Sequence, residues 1–190
     1  MKRVIPNNVY ALLVNSIGDR MIRGSVLKGY EKYIKKRWGQ QGICQCEKFI
    51  GIEFGDISDG KWYNQIFSEK ILKWISSEKG SMYVKECGKH TTKDLGILSY
   101  IVRFTTIKMM LKRAPEQFHD AFSYGDVKID IGDKRALVHM RDTAIDENTC
   151  LAFEGVYEAL LELTHTKGKV TKKQCQLKGA DRCIFEIDWS

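Results

Sequence analysis

Apolar residues recur with helical spacing over most of the first 80 positions. One apolar stripe includes Val26 and Tyr30 and has lysines on the opposite face, as in a helix that packs on a core with one side. Gly39 and Gly42 are expected to end that helix, and residues 43–61 are expected to form a loop or a short strand. The helices predicted in this part span about residues 9–17, 25–38 and 63–76, with a short one opening near residue 82.

The most apolar segment runs from about residue 92 or 94 to residue 112. Its apolar side chains cover nearly the whole circumference of a helix, and such a helix belongs in the centre of a domain. Pro115 is expected to end it, because proline lacks the backbone N–H that a continuing helix needs.

The pattern changes after residue 120 from helical spacing to strict alternation. Alternating apolar and polar residues over 127–131 and 136–141 predict a β-hairpin, with its turn at Gly132 and Asp133. A helix and a second hairpin are predicted after it: the helix from Asn148 or Thr149 to about Thr164, and the strands over about 169–177 and 182–188.

These elements predict an α+β fold, in which a helical N-terminal half packs on a four-stranded antiparallel sheet of β-β-α-β-β order. A chain of 190 residues fits one domain, and 43% hydrophobic residues are enough to build a core. We therefore expect a single domain over residues 1–190, with the helical part at about 1–115 and the β-β-α-β-β part at about 120–190.

The chain has a net charge of +7, and its basic residues form two clusters, at residues 28–37 and 167–173. The clusters lack interleaved aromatic residues on their polar side, so a solvated face and a mobile basic loop are favoured over a surface for nucleic acid or anionic membrane. No stretch approaches the roughly 20 apolar residues of a membrane helix, and the N-terminus has no signal core. We expect a cytoplasmic protein without a membrane span. Six cysteines in such a chain are expected to be thiols or metal ligands rather than disulfides.

Two cysteines of the second hairpin are candidates for chemistry. If the loop is three residues centred on Gly179, Cys175 faces Cys183 on the neighbouring strand. Two thiols so placed can ligate zinc with help from elsewhere, form a redox-labile pair, or serve as small buried apolar residues. The bare pair Cys44-x-Cys46 is a weaker metal signal.

Standard catalytic signatures are missing from the sequence. It has no G-x-S-x-G, no P-loop and no G-x-G-x-x-G after a strand. An enzyme is therefore not the favoured interpretation. Among the four histidines, His90 lies between a glycine turn and the most apolar helix, which makes it the best candidate for a polar group that faces a ligand.

Several short stretches occur in an order typical of one domain family. They are Gly24-Ser-Val-Leu-Lys-Gly-Tyr, Tyr83-Val-Lys-Glu-Cys-Gly, Arg103-Phe-Thr, Lys112-Arg-Ala-Pro and the C-terminal Cys175…Gly179…Cys183-x-Phe185. Together they resemble the vinyl-4-reductase (4VR) domain family. The wider superfamily includes the haem nitric-oxide-binding domains and the Bet-type subunits of the TRAPP tethering complex. The resemblance covers about residues 20–188, and the C-terminal pattern is its most specific part.

The resemblance implies a helical half packed on an antiparallel sheet, with a hydrophobic ligand cavity between them. Family members include phenol-responsive regulators and a domain used in bacteriochlorophyll synthesis. We therefore expect a small-molecule-binding sensor or regulatory domain that acts as a homodimer or on a signalling partner protein. The alternative is a non-catalytic adaptor or tethering module that acts through a dimer or partner interface, and an enzyme acting on a tetrapyrrole ranks last.

The expected ligand is small and hydrophobic or aromatic. It is expected to occupy an apolar pocket between the buried helix and the sheet, with His90 as a polar anchor. The other expected pocket residues are Tyr100, Phe104, Phe118, Phe122 and Tyr124.

The resemblance also implies what cofactors to expect. The phenol-responsive branch implies zinc held by three cysteines and a glutamate, for which Cys175 and Cys183 match and Cys150 lies close to the upstream position. Lys172 stands where the glutamate is expected, and a cation cannot ligate zinc, so the site is lost or Glu154 or another group substitutes. The haem branch implies a Tyr-x-Ser-x-Arg motif, which this sequence lacks, so haem is expected less than zinc.

Overall fold

A computed structural model describes residues 20–94 and 106–190 of the chain. The predicted helix over 9–17 and much of the predicted apolar helix lie outside the described residues. The helices are α1 (Gly24–Ile50), α2 (Ile66–Lys79), α3 (Met82–Asp94), α4 (Ile107–Ala121) and α5 (Glu147–Leu163). The strands are β1 (Met21–Arg23), β2 (Trp62–Asn64), β3 (Asp126–Ile131), β4 (Arg135–Arg141), β5 (Gly168–Gln174) and β6 (Cys183–Trp189). No helix within the two described ranges is long and apolar enough to cross a membrane.

The predicted α+β architecture of β-β-α-β-β order is confirmed. The four strands of the main sheet are antiparallel in the order β3-β4-β6-β5, and α5 connects the two hairpins. Phe185 on β6 lies opposite Val138 on β4, and both are buried, so one face of the sheet is the core face. The first hairpin pairs Val127 with Met140, as its alternation predicts.

Helix α1 is longer than the sequence pattern suggests. Gly39 interrupts its helical backbone at φ 64° and ψ −162°, but the chain resumes the helix and ends it at Gly51, in the left-handed conformation. The prediction of a loop from residue 43 is therefore wrong for residues 43–50. The reason is burial, because Ile43 and Cys46 extend the apolar face past the glycine kink.

Pro115 does not end a helix; it lies inside α4. Leu111 and Phe118, on either side of the proline, are both buried in the core around the sheet. Their packing outweighs the backbone hydrogen bond that the proline cannot make. The helix begins late, at Ile107, where the side chain of Thr106 accepts a hydrogen bond from the backbone N–H of Met109.

The N-terminal cap of helix α5 lies two or three residues earlier in the chain than predicted. The carboxylate of Asp146 accepts hydrogen bonds from both the backbone N–H and the hydroxyl of Thr149, each at 2.7 Å. The helix is therefore capped by Asp146 rather than by Asn148 or Thr149.

Helices α3 and α5 pack together through glycine. A Cβ atom on Gly88 would lie 2.1 Å from the backbone oxygen of Ala152, and one on Gly155 would lie 2.0 Å from that of Lys85. The two backbones are therefore in direct contact, which only a residue without a side chain permits. Salt bridges flank this contact: Lys85 pairs with Glu154 and Glu158, Lys89 with Glu158 and Glu162, and Lys93 with Glu162.

Substitution of Gly88 by alanine tests this packing. In an exposed helix the change stabilises by about 1 kcal/mol, through helix propensity. Here the added methyl group must push two backbones apart, so we expect the free energy of unfolding to fall by about 1–3 kcal/mol in urea denaturation. The matched control is Gly55→Ala, where a Cβ meets nothing within 4 Å. Equal behaviour of the two variants would contradict the close contact.

Candidate ligand cavity and thiol cluster

A cavity of about 140 Å³ lies between the helices and the first strand of the main sheet. Helices α1, α2 and α3 supply one side of its wall, and α4, α5 and Val127 of β3 supply the other. The cavity therefore lies where the two halves of the fold meet. Every described residue on its wall is uncharged.

Aromatic rings form the apolar part of the wall. Phe118 and Phe122 stack with centroids 4.8 Å apart, and Phe153 of α5 packs against both, at 6.0 and 5.7 Å. Such offset and tilted ring pairs stabilise beyond their buried area. This part of the wall is therefore a rigid surface suited to an apolar or aromatic molecule.

The side chain of Gln65 is buried on the wall and has no hydrogen-bond partner among the described residues. Gln65 is 1% exposed, and both its amide nitrogen and its amide oxygen are unpaired. Thr91 is 6% exposed, and its side chain is hydrogen-bonded to the buried thiol of Cys87. An unpaired buried polar group costs about 1–3 kcal/mol, so groups of this kind in a native fold call for an explanation.

Two tyrosines also contribute hydroxyl groups to the wall. Burial raises the pKa of both Tyr30 and Tyr157 well above the ordinary value, so both phenols are neutral at physiological pH. The Tyr157 hydroxyl donates to the sulfur of Met140 at 3.1 Å. The cavity thus presents hydrogen-bonding groups without charge.

The predicted pocket residues fall into three groups. Phe118 and Phe122 lie on the cavity wall, His90 and Tyr124 do not, and Tyr100 and Phe104 lie outside the described residues. The ring of His90 packs against that of Tyr33 at 5.5 Å, on another side of α3. Burial, and then the charge of Lys36, lower the pKa of His90.

Gln65 and Thr91 are absent from the predicted pocket because polar residues near helix ends are usually exposed. Gln65 is the residue directly before α2, where a side chain commonly faces solvent. One signal was available for Thr91: it follows Cys87 by four residues on one helix face, and Cys87 is buried.

The three cysteines singled out at the C-terminal half meet in one place. The Sγ atom of Cys175 lies 3.9 Å from that of Cys150 and 3.9 Å from that of Cys183, and all three lie within 4.8 Å of one another. All three are buried. In the other cysteine pair, Cys44 is exposed and Cys46 is buried, so these two residues do not share one environment. Metal binding by the three-cysteine cluster stays a prediction.

A β-bulge brings Cys175 to this cluster. Lys172 pairs with Phe185 and Gln174 with Ile184, so β5 carries one extra residue between these pairs. Without it, alternation would place Cys175 on the face opposite Lys172. The Lys172 ammonium is hydrogen-bonded to Cys150 and Cys175, and these contacts raise its pKa against the opposing effect of burial.

The pKa of Cys183 is lowered to about 7. The chief cause is a hydrogen bond from the Cys150 thiol, and the backbone N–H of Gln176 and the charge of Lys172 act in the same direction. The pKa of Cys150 is raised by the same contact, and by burial. The cluster is therefore electrostatically asymmetric, with Cys183 as its most acidic thiol.

Comparison with solved structures identifies the fold. An H-NOX protein from S. oneidensis in its Fe(II)NO ligation state matches with a TM-score of 0.72 at 12% identity, covering 89% of this chain and 99% of that one. An oxygen-binding H-NOX domain related to soluble guanylate cyclases, in its oxygen complex, matches with a TM-score of 0.70 at 12% identity, covering 89% and 95%. A structure described as probing haem distortion in the H-NOX family matches with a TM-score of 0.71 at 12% identity, with the same coverage.

These matches show that the chain shares the fold of H-NOX domains. No protein-family model matches the chain, and no curated protein matches it. The 4VR family itself is therefore not shown.

The expectation that placed haem behind zinc is contradicted by these neighbours, because the structures that share the fold are described with haem or with its iron. The described part of the cavity does not fit a haem as it stands. At about 140 Å³ it is smaller than the roughly 300–1,000 Å³ of pockets for drug-sized ligands. Of the usual haem-iron ligands, its described wall offers only the phenols of Tyr30 and Tyr157.

Gln65→Leu tests whether the polar wall is costly to the empty fold. Leucine has a similar size and leaves no buried amide unpaired, so we expect the free energy of unfolding to rise by about 1–3 kcal/mol in urea denaturation. The control is Gln41→Leu on the exposed face of α1, where no such gain is expected. A loss of stability in Gln65→Leu would mean that the amide has a partner.

Proposed function

We propose that this chain is a ligand-binding sensor domain whose cavity takes a small, neutral, largely apolar molecule with one hydrogen-bonding group. The observation that carries the proposal is the Gln65 amide, which is 1% exposed on the cavity wall and unpaired among the described residues. Removing it would stabilise the empty fold, so its presence favours a role in binding.

The size of the cavity limits the ligand. An engineered apolar cavity of about 150 Å³ binds benzene, and this cavity of about 140 Å³ is close to that volume. The described residues of the wall carry no charge, which favours a neutral ligand, because a charge buried without a partner is costly. The amide of Gln65 offers both a donor and an acceptor, which a hydroxyl group can satisfy at once. A phenol-sized alcohol has these properties.

The position of the cavity suits a sensor. Its wall joins Tyr30 of α1 and Thr91 of α3 to Phe118 of α4 and Phe153 of α5. A ligand that contacts all four helices stabilises one arrangement of them over others. The neighbours of known structure include proteins described in a complex with oxygen or NO, which supports a sensor role for this fold.

The meeting of Cys150, Cys175 and Cys183 supports the 4VR branch within the superfamily. The resemblance to that branch depends on the C-terminal cysteine pattern, and the Sγ atoms of all three cysteines lie within 4.8 Å of one another. We infer that the chain is closer to the phenol-responsive members than its H-NOX fold alone indicates.

Phenol and toluene form a matched pair of probes, because they are similar in size and differ in the hydroxyl group. We expect phenol to bind about 3- to 10-fold more tightly than toluene, which is the gain from one neutral hydrogen bond. The preference should disappear in Gln65→Leu. Binding is measured by NMR titration, following the methyl groups of Val127 and Leu160 on the wall.

Val156→Phe fills the same cavity from α5. It should abolish binding of both probes while the protein stays folded, whereas Met82→Phe, at a site that is 64% exposed, should leave binding unchanged. A haem Soret band on addition of hemin, with no response to either small probe, would overturn the small-ligand proposal and assign haem to this site. No response to any of the three would overturn ligand binding at this cavity.

A further inference from the structure

Three thiols converge from different elements, and their sulfur atoms all lie within 4.8 Å of one another. Cys150 comes from the first turn of α5, Cys175 directly follows β5, and Cys183 begins β6. The two contacts of 3.9 Å share Cys175. Small buried cysteines that serve only to fill space have no need to touch in this way.

The backbone positions of Cys175 and Cys183 suit a disulfide. The last ladder pair is Gln174 with Ile184, so the next pair outward is Cys175 with Cys183. Directly opposed residues of antiparallel strands have Cα atoms about 4.5–5.5 Å apart, inside the range of about 4.4–6.8 Å for disulfides. Side-chain rotation that brings the sulfurs from 3.9 Å to about 2 Å is the remaining change.

Cys175 is also the most accessible of the three. It is 8% exposed, against 5% for Cys150 and 1% for Cys183. It stands at the start of the turn Gln176–Lys178, in which Leu177 is exposed to solvent. A small oxidant therefore reaches the cluster through Cys175.

We propose that the cluster is an oxidation site in which Cys175 reacts with hydrogen peroxide and then forms a disulfide with Cys183 or Cys150. In the first step the O–O bond breaks, the sulfur of Cys175 is oxidised to a sulfenic acid, and the peroxide is reduced to water. In the second step a neighbouring thiol attacks that sulfur, the S–O bond breaks, the S–S bond forms, and a second water leaves. The two thiol protons end in the two waters.

Because Cys150 belongs to helix α5, oxidation at this site also affects a part of the fold outside the hairpin of β5 and β6. A disulfide between Cys175 and Cys183 links two strands that are already neighbours in the sheet. A disulfide between Cys175 and Cys150 ties the first turn of α5 to the end of β5, and the remaining thiol can exchange one link for the other. The residue before Cys150 is Thr149, which lies on the cavity wall.

The test oxidises the folded Cys44→Ser chain with hydrogen peroxide, because Cys44 is exposed and its removal confines the signal to the buried thiols. We expect the intact mass after denaturation to fall by two hydrogens. Peptide mapping should place the link at Cys175 with Cys183 or Cys150, and dithiothreitol should reverse it. Cys46 and Cys87 should still be alkylated as free thiols.

Four further variants separate the roles of the cysteines. Cys150→Ser and Cys183→Ser should each keep one disulfide, since Cys175 retains a partner at 3.9 Å. Cys175→Ser should lose it. Cys175→Ala is the second variant at this site, in case serine is not tolerated in the core, and thermal unfolding shows whether each variant is folded.

Two results would overturn the proposal. One is that the folded protein forms no disulfide in the cluster under peroxide that fully oxidises the unfolded chain. The other is that the disulfide persists in folded Cys175→Ala. Native mass spectrometry of the untreated sample identifies a bound metal ion, and thiols that resist peroxide while that ion is present but not after its removal would assign them to a metal site instead.

Discussion

The contact between α3 and α5 through Gly88 and Gly155 is the constraint on which the rest of the fold depends. It brings two backbones together without side chains between them, so the helical half and the sheet half are held at a fixed separation. The flanking salt bridges are partly exposed and contribute little each, since solvent screens them. The backbone contact therefore sets the geometry, and the ion pairs select the register along the two helices.

Helix α5 serves two sites at once because its faces differ. Its glycine and glutamate face meets α3, its aromatic residues Phe153 and Tyr157 line the cavity, and Cys150 in its first turn joins the thiol cluster. The cavity is bounded on one side by elements that the glycine contact fixes in place. An apolar cavity between two such halves stays open only because close packing elsewhere prevents collapse.

Much of the fold could be predicted because alternation and helical period report burial. The two hairpins and α5 follow from residues that must face the core on alternate positions, and the pairing of Val127 with Met140 bears this out. The continuation of α1 beyond Gly39 and the helical Pro115 could not be predicted, since tertiary packing of Ile43, Leu111 and Phe118 overrides the local preference of each residue.

Some residues of the candidate sites could likewise be predicted from the sequence, and others could not. Phe118 and Phe122 are apolar residues in an apolar context, so the sequence pattern alone predicts that their side chains face the core. The unpaired amide of Gln65 is visible only when its surroundings are known, because nothing in one sequence distinguishes a buried glutamine from an exposed one. The predicted order of zinc before haem was wrong because of the neighbours of known structure, and neither the cysteine spacing nor the missing haem motif could reveal this.

The bulge between Lys172 and Gln174 has a second effect, on the association of the protein with itself. Among the described residues, strand β5 forms one edge of the sheet, and the outer backbone groups of an edge strand can pair with a strand of another molecule. An extra residue twists such an edge and breaks the regular row of donors and acceptors that an incoming strand needs. The lysines of β5, at 169, 172 and 173, add charge along the same strand. The irregularity that places Cys175 in the core thus also protects this edge against aggregation.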